Sequence, residues 1–174
     1  PAKPMLDDPK LSETEKEEVK IFVATMDERQ VLRPDVVVSK SGPATLAGQN
    51  FDVHVTDGAV TDADIWLYDP STGVAAIGDL VTLPAPFFET ACPARWQTAL
   101  DDVWATPFRS AVPGHGPVMT RADFDAYRKA FGNFRTCVGS DSPAATCASG
   151  WTKDVSALLT TESDQKQANE YATY

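Results

Sequence analysis

Two side chains capable of chemistry stand where the chain would hold them rigidly. Asp79 follows the apolar run Ala75-Ala76-Ile77 and Gly78, so a carboxylate comes at the end of a predicted strand. His115 lies within Pro113-Gly114-His115-Gly116-Pro117, where glycine permits a sharp turn and proline stiffens it. A carboxylate and an imidazole held in this way suit metal binding or acid–base catalysis. Taken singly, each also fits a structural role, as a turn or helix cap and as a hydrogen-bonded turn histidine.

The number of histidines limits the metal sites that the chain can build. The sequence has two, His54 and His115, so a catalytic site made mainly of imidazoles from this chain is excluded. His54 belongs to the alternating segment from Phe51 to Val55. That pattern predicts a half-buried strand, with His54 as a strand-face residue and metal ligation as the alternative.

The three cysteines carry information about the compartment. Cys137 and Cys147 flank a short polar segment rich in turn residues, so a disulfide between them is predicted, with two free thiols as the alternative. A disulfide would favour the periplasm or secretion. Cys92 is then unpaired, and a nucleophilic role is disfavoured because no histidine lies near it in the sequence.

The charge of the chain excludes two classes of partner. Of 174 residues, 25 are acidic and 15 basic, which gives a formal net charge of -10. Nucleic acid is therefore not expected as a partner, and anionic membrane surfaces are disfavoured for the same reason. The sequence also has no apolar run of about 18 residues, so no membrane span is predicted.

The hydrophobic patterning predicts an α+β fold in which helices cover a sheet. The first helix begins at a capping box formed by Ser12 and Glu15, and its apolar stripe needs a partner surface. A second capping box, Thr120 and Asp123, begins a later helix. The predicted helices are Ser12 to Arg29, Pro93 to a point before Pro107, Thr120 through Phe134, and Trp151 to Lys166; the predicted strands are Val36 to Val38, Ala44 to Ala47, Phe51 to Val55, Asp64 to Tyr68, Val74 to Ile77, and Arg109 to Val112.

The order of these motifs resembles the C-terminal half of the metallo-β-lactamase-fold hydrolases. The resemblance rests on strand-Gly-Asp-Leu at Gly78-Asp79-Leu80, a tryptophan-rich helix, and then Pro-Gly-His-Gly-Pro around His115. The segment from Asp57 to Tyr68 is similar to the family's Ala-His-Thr-x-Gly-Asp segment and the strand after it. This implies half of an αβ/βα sandwich, mostly antiparallel, over residues 34–134. Residues 1–33 would be an arm and a helix, and residues 135–174 a disulfide loop and a C-terminal helix.

The resemblance also implies an incomplete dizinc site. Asp79 matches the carboxylate that bridges the two metals, and His115 matches the last histidine of the second metal site. Val60 stands at the third histidine of the first metal site, and a valine cannot bind zinc. The family's His-x-His-x-Asp-His segment is absent from this sequence. Zinc would therefore need ligands that this chain lacks.

The incomplete set of zinc ligands leaves two possible functions. A third interpretation is that the motifs occur by chance in an unrelated acidic α/β domain. The chain is either a hydrolase fragment or relative that is inactive by itself, or a binding or assembly module that kept the fold and lost the metals. Half of the fold would leave an apolar sheet face in water, which soluble monomers avoid. A missing N-terminal half, a second copy in a homodimer, or the terminal helices folded back over the sheet would cover that face.

Overall fold

The computed structural model describes residues 12–27 and 36–173, which belong to two compact units divided between residues 37 and 38. In the first unit, helix α1 spans Glu13–Asp27. The predicted arm, the helix end at Arg29, and the side chains of Glu15, Phe22, Val23 and Met26 lie outside the described residues and side chains. The capping box and apolar stripe predicted for this helix therefore stay predictions.

The second unit is built on a six-stranded sheet whose strands follow one another in chain order, β1 to β6. Strands β4 and β5 pair in parallel, and the other four pairings are antiparallel. An antiparallel sheet with one parallel pair matches the predicted α+β class. The strands are β1 Gly42–Leu46, β2 Gln49–Asp57, β3 Ala63–Asp69, β4 Val74–Thr82, β5 Ser110–His115 and β6 Met119–Thr120.

Helices cover one face of this sheet. They are α2 Pro93–Ala105, α3 Arg121–Val138, α4 Ala144–Val155 and α5 Glu162–Tyr171, with a 3-10 turn at Ser156–Leu158. Side chains alternate between faces along a strand, and the inward set of the central strands includes Trp66, Tyr68, Ala75 and Ala111. These residues share one buried core with side chains from all four helices, including Trp151. The segment 135–174 thus contributes to the same core as the strands.

The opposite face of the sheet is apolar and partly open. Paired residues share a face, and the pairs Leu67–Ala76 and Ala76–Val112 lie on the face away from the helices, together with Ile65. Ile65 is 46% exposed and Val112 39% exposed. We call Ile65, Leu67, Ala76 and Val112 the open sheet face. Helix α5 packs on α4 in the helical layer, so this C-terminal helix does not cover that face.

Local chemistry explains several predicted elements that the structure contains. Asp69 closes the β3–β4 hairpin by accepting hydrogen bonds from Ser71 and Thr72, which hold the pKa of its carboxyl down to about 2. Helix α3 begins with the predicted capping box of Thr120 and Asp123. These interactions join residues at most four positions apart, so they are visible in the sequence.

Four element predictions are wrong. Val36 to Val38 does not form a strand, and Val37 is 83% exposed, because β-branched residues form strands only where a neighbouring strand pairs with them. Strand β4 continues past Gly78-Asp79 to Thr82, since β5 pairs with it in parallel there. The last predicted helix, Trp151 to Lys166, is two helices, α4 and α5. The short strand β6 was not predicted.

The predicted disulfide between Cys137 and Cys147 is present, with the two Cα atoms 5.5 Å apart. The cysteines lie on helices rather than on loop residues, one near the end of α3 and the other in the first turn of α4. The bond therefore ties two helices together at the turn that joins them. Within the described residues, none of the helices is long and apolar enough to cross a membrane.

Candidate metal-ligand pair

Asp79 and His115 lie side by side, although they are separated by 36 positions in the sequence. Asp79 lies in the second half of strand β4. His115 is the last residue of the parallel strand β5 and is in register with Thr82 of β4. His115 Nε2 lies 3.6 Å from Asp79 Oδ1, and both side chains are 57% exposed. The resemblance implies that both residues belong to one metal site, which requires them to lie this close together, and the structure brings them together. Metal binding by the pair stays a prediction.

Residue 114 is a glycine, and the absence of a side chain leaves room for the Asp79 carboxylate beside His115. A Cβ on residue 114 would overlap Asp79 Oδ1 and would lie 3.0 Å from the Asp79 backbone nitrogen. Gly78 has a φ of 50°, a left-handed conformation that favours glycine, so the backbone turns directly before Asp79. The glycines predicted as turn residues therefore place the carboxylate against strand β5.

Buried aromatic side chains hold the segment that leads away from Asp79. Trp96 Nε1 donates to Leu80 O at 2.9 Å, and Trp151 Nε1 donates to Pro84 O at 2.8 Å. Between them, the Tyr127 hydroxyl accepts from Thr82 N at 3.3 Å and donates to Thr82 O at 3.5 Å. Burial raises the pKa of Tyr127 to about 12, so the hydroxyl keeps its proton.

The need for these aromatic donors follows from the pairing of the sheet. Strand β3 pairs with β4 only over Val74–Ala76, so beyond that point one edge of β4 has no partner among the described strands. Buried backbone groups need hydrogen bonds, and the donors from α2, α3 and α4 supply them at residues 80, 82 and 84. These hydrogen bonds join residues far apart in the sequence, so residue types and local spacing could not predict them.

The apolar loop from Leu83 to Phe88 borders the pair. Leu83 N donates to His115 O at 3.1 Å, and the ring of Phe87 meets the His115 imidazole edge-on at 6.4 Å between centroids. A cavity of about 320 Å³ lies beside this loop and is lined by Leu83, Pro84, Gly116 and Leu158, among others. The loop therefore gives the neighbourhood of His115 an apolar wall.

Val60, which the resemblance places where the family has a histidine ligand, is part of the core. Val60 is 7% exposed, and its backbone N–H donates to the Asp64 carboxylate at 2.8 Å. The Thr90 hydroxyl donates to Val60 O at 2.8 Å. The turn before β3 is thus fully hydrogen-bonded around a side chain that has no metal-binding atom.

His54 and Cys92 take no part in the Asp79–His115 pair. His54 stacks on Trp66 across strands β2 and β3, with ring centroids 3.6 Å apart. Burial lowers the pKa of His54 from its ordinary value of 6.5. It is therefore the strand-face residue that the alternation predicted. Cys92 is an exposed free thiol at the N-cap of α2.

The Asp79–His115 pair fits part of a zinc shell. A tetrahedral zinc with ligand bonds of about 2.0–2.2 Å separates its ligand atoms by about 3.3–3.6 Å, and the observed 3.6 Å matches that spacing. Structural zinc has four protein ligands and catalytic zinc about three. Among the described residues, none of the histidines, cysteines and acidic residues form a group of three that could hold a metal ion. The pair supplies two ligands of such a shell and no more.

Comparisons with known proteins identify the fold but no relative close in sequence. No family model matches the chain, and no curated protein matches it. Solved structures do. A metallo-β-lactamase from Pontibacter korlensis superposes with a TM-score of 0.52 at 18% identity, over 68% of this chain and 63% of the other.

A second solved structure, a double mutant of the sec-alkyl sulfatase PisA1, superposes with a TM-score of 0.53 at 16% identity. The match covers 82% of this chain and 26% of that chain. The chain thus spans less than two thirds of the length of either structure. At these identities the likeness concerns the fold alone. The described part of this chain shares part of the metallo-β-lactamase fold.

Proposed function

We propose that this chain is the part of a metallo-β-lactamase-like hydrolase that supplies Asp79 and His115 to a metal site completed by other residues. The observation that carries the proposal is the 3.6 Å separation of His115 Nε2 and Asp79 Oδ1. Both groups are exposed at the same edge of the sheet, and glycine at position 114 makes room for the carboxylate.

Zinc is the metal that the proposal names. Imidazole nitrogen and carboxylate oxygen are both zinc ligands, and bound zinc would polarise the substrate and activate a water molecule. The residues that would hold it from this chain are Asp79 and His115. The apolar loop Leu83 to Phe88 would place an apolar part of the substrate beside them. The substrate class stays open, because the fold does not select one.

The missing ligands determine which partner completes the site. A second copy of the chain brings only another His54 and His115, and His54 is stacked on Trp66. A homodimer therefore cannot supply the three-histidine set of a dizinc hydrolase. The hydrolase proposal requires a separate αβ half that bears histidines and packs on the open sheet face.

A second candidate function is a binding or assembly module without metals. Val60 favours it, because a buried, hydrogen-bonded valine occupies a ligand position within the part of the fold that the chain contains. A homodimer on the open sheet face suits this second function. For either function we propose the periplasm or the cell exterior as the location, on the evidence of the Cys137–Cys147 disulfide.

A zinc titration separates the two functions. Isothermal calorimetry of the chain with Zn²⁺ is expected to show weak binding that is lost in Asp79→Asn and in His115→Gln. The matched control is His54→Gln, which removes the other imidazole and is expected to leave zinc binding unchanged. Adding a histidine-bearing αβ half is expected to raise zinc affinity and to produce hydrolysis of a generic ester or lactam.

Two results would overturn the hydrolase proposal. The first is zinc binding that persists in both Asp79→Asn and His115→Gln. The second is the absence of any zinc binding by the wild-type chain at millimolar metal, which would leave the metal-free module. Tight stoichiometric zinc with hydrolysis by the chain alone would instead show that ligands other than this pair had been overlooked.

A further inference from the structure

A second cavity lies on the helical side of the molecule, away from the Asp79–His115 pair. It is a groove of about 680 Å³ between the start of α2, the end of α3 and the end of α5. Volumes of about 300–1,000 Å³ are typical of sites for small organic molecules. None of the residues that line it also line the smaller cavity beside His115. Its occupant is therefore independent of the proposed metal site.

The lining of this groove is mostly apolar. Phe88 and Phe134 form its inner wall, with their rings stacked at 5.8 Å between centroids. Val138 and Tyr171 lie at its rim, 58% and 49% exposed. Exposed apolar side chains around a concave surface mark a place where an apolar ligand replaces water. The disulfide at Cys147 also lines the groove and holds α3 and α4 together there.

The charge in the groove has the opposite sign to that of the chain. Among the residues that line it, Arg135 alone carries a charge, while the whole chain carries -10. Within the part of the chain that the structure describes, the Arg135 guanidinium has no hydrogen-bond or ion-pair partner. Pro93 and Ala94, the start of α2, also line the groove, and no side chain caps that helix. A helix N-terminus adds partial positive charge.

We propose that this groove binds an amphiphilic monocarboxylate, such as a medium-chain fatty acid. The aliphatic chain lies against Phe88, Phe134 and Val138, and the carboxylate pairs with Arg135. The charge complementarity selects this class over neutral or cationic amphiphiles, because Arg135 is the one charged residue in the lining and nothing in the lining is acidic. Arginine suits the head group, since its planar guanidinium donates two parallel hydrogen bonds to a carboxylate.

Calorimetric titration of the full chain with decanoate, decanol and decyltrimethylammonium, each below its micelle concentration, tests the proposal. Decanoate is expected to bind saturably at one site. Decanol and the cationic amphiphile are expected to bind up to about five-fold more weakly, since an exposed ion pair contributes up to about 1 kcal/mol. Arg135→Gln is expected to weaken decanoate binding by the same factor and to leave decanol binding unchanged.

Two further variants complete the design. Val138→Glu places a carboxylate at the rim and is expected to abolish decanoate binding, and Val138 is exposed enough to change without loss of the fold. The matched control is Lys153→Gln on α4, an exposed cation that does not line the groove. Equal binding of decanoate and decanol, or decanoate binding unaffected by Arg135→Gln, would overturn the proposal. So would a dimer that Val138→Glu converts to a monomer, because a second copy would then fill the groove.

Discussion

The Asp79 carboxylate lies so close to the Gly114 backbone that a side chain of any kind at position 114 would collide with it. The two residues belong to neighbouring parallel strands. Asp79 directly follows Gly78, which has a φ of 50°. The Asp79 carboxylate can therefore lie beside His115 only because residue 114, on the neighbouring strand, has no side chain. This relationship makes Gly114 a positioning residue for the proposed metal site.

Gly114→Ala is expected to move the Asp79 carboxylate and to weaken zinc binding as much as Asp79→Asn does. The measurement is a Zn²⁺ titration followed by the NMR signals of the His115 ring. The matched control is Gly150→Ala on α4, where no atom lies within 4 Å of the added Cβ. Unchanged zinc affinity in Gly114→Ala would show that the carboxylate does not bind the metal from its present position.

Tyr127→Phe is expected to lower the free energy of unfolding by about 1–3 kcal/mol, because it leaves the Thr82 N–H buried without a partner. Denaturant unfolding followed by tryptophan fluorescence measures the change. Tyr171→Phe is the control, since Tyr171 is 49% exposed and a surface change of this kind stays within about 0.5 kcal/mol. Equal stabilities of the two variants would mean that Thr82 finds another partner.

Removal of the disulfide is expected to cost about 2–3 kcal/mol in the chain-entropy model, because Cys137 and Cys147 are only 10 positions apart. The test compares the unfolding of the wild type with that of Cys137→Ser/Cys147→Ser. Cys92→Ser, which leaves the bridge intact, is the control. Mass spectrometry of unreduced peptides checks the bond directly, and alkylation at both positions without reductant would contradict it.

His54 makes the stability depend on pH. Because burial lowers its pKa in the folded state, the unfolded chain binds the proton more readily, and protonation favours unfolding. The free energy of unfolding is therefore expected to fall as the pH drops through its ordinary value of 6.5. His54→Gln is expected to flatten this slope between about pH 7.5 and 5.5. If His54→Gln has the same slope as the wild type, the pH dependence of the stability does not come from His54.

The open sheet face predicts association of the isolated chain. Light scattering is expected to show a dimer, because Ile65 and Val112 are apolar and exposed on one side of the sheet. Ile65→Lys/Val112→Lys is expected to give a folded monomer, whereas Val118→Lys, a control at a residue already 64% exposed, is expected to remain a dimer. A wild-type monomer that unfolds cooperatively would contradict the prediction.

Short-range chemistry made part of this protein predictable. The hairpin at Asp69, the capping box at Thr120 and the bridge between Cys137 and Cys147 each join residues that are close in the chain, so their types and spacing suffice. The candidate pair was also visible, because a carboxylate behind a strand and a histidine between glycines are local patterns. The apolar stripe of α3, from Phe124 to Phe134, followed from helical periodicity in the same way.

The amino-acid sequence by itself determined the residue types Asp79 and His115, the limit of two imidazoles and the apolar side chain at Val60. Only the tertiary structure decided that Asp79 and His115 meet, since that depends on a parallel pairing between β4 and β5. It likewise decided that β4 continues past Asp79 and that Val36 to Val38 stays unpaired. A strand exists only where a neighbour takes up its backbone hydrogen bonds, and that neighbour is distant in sequence.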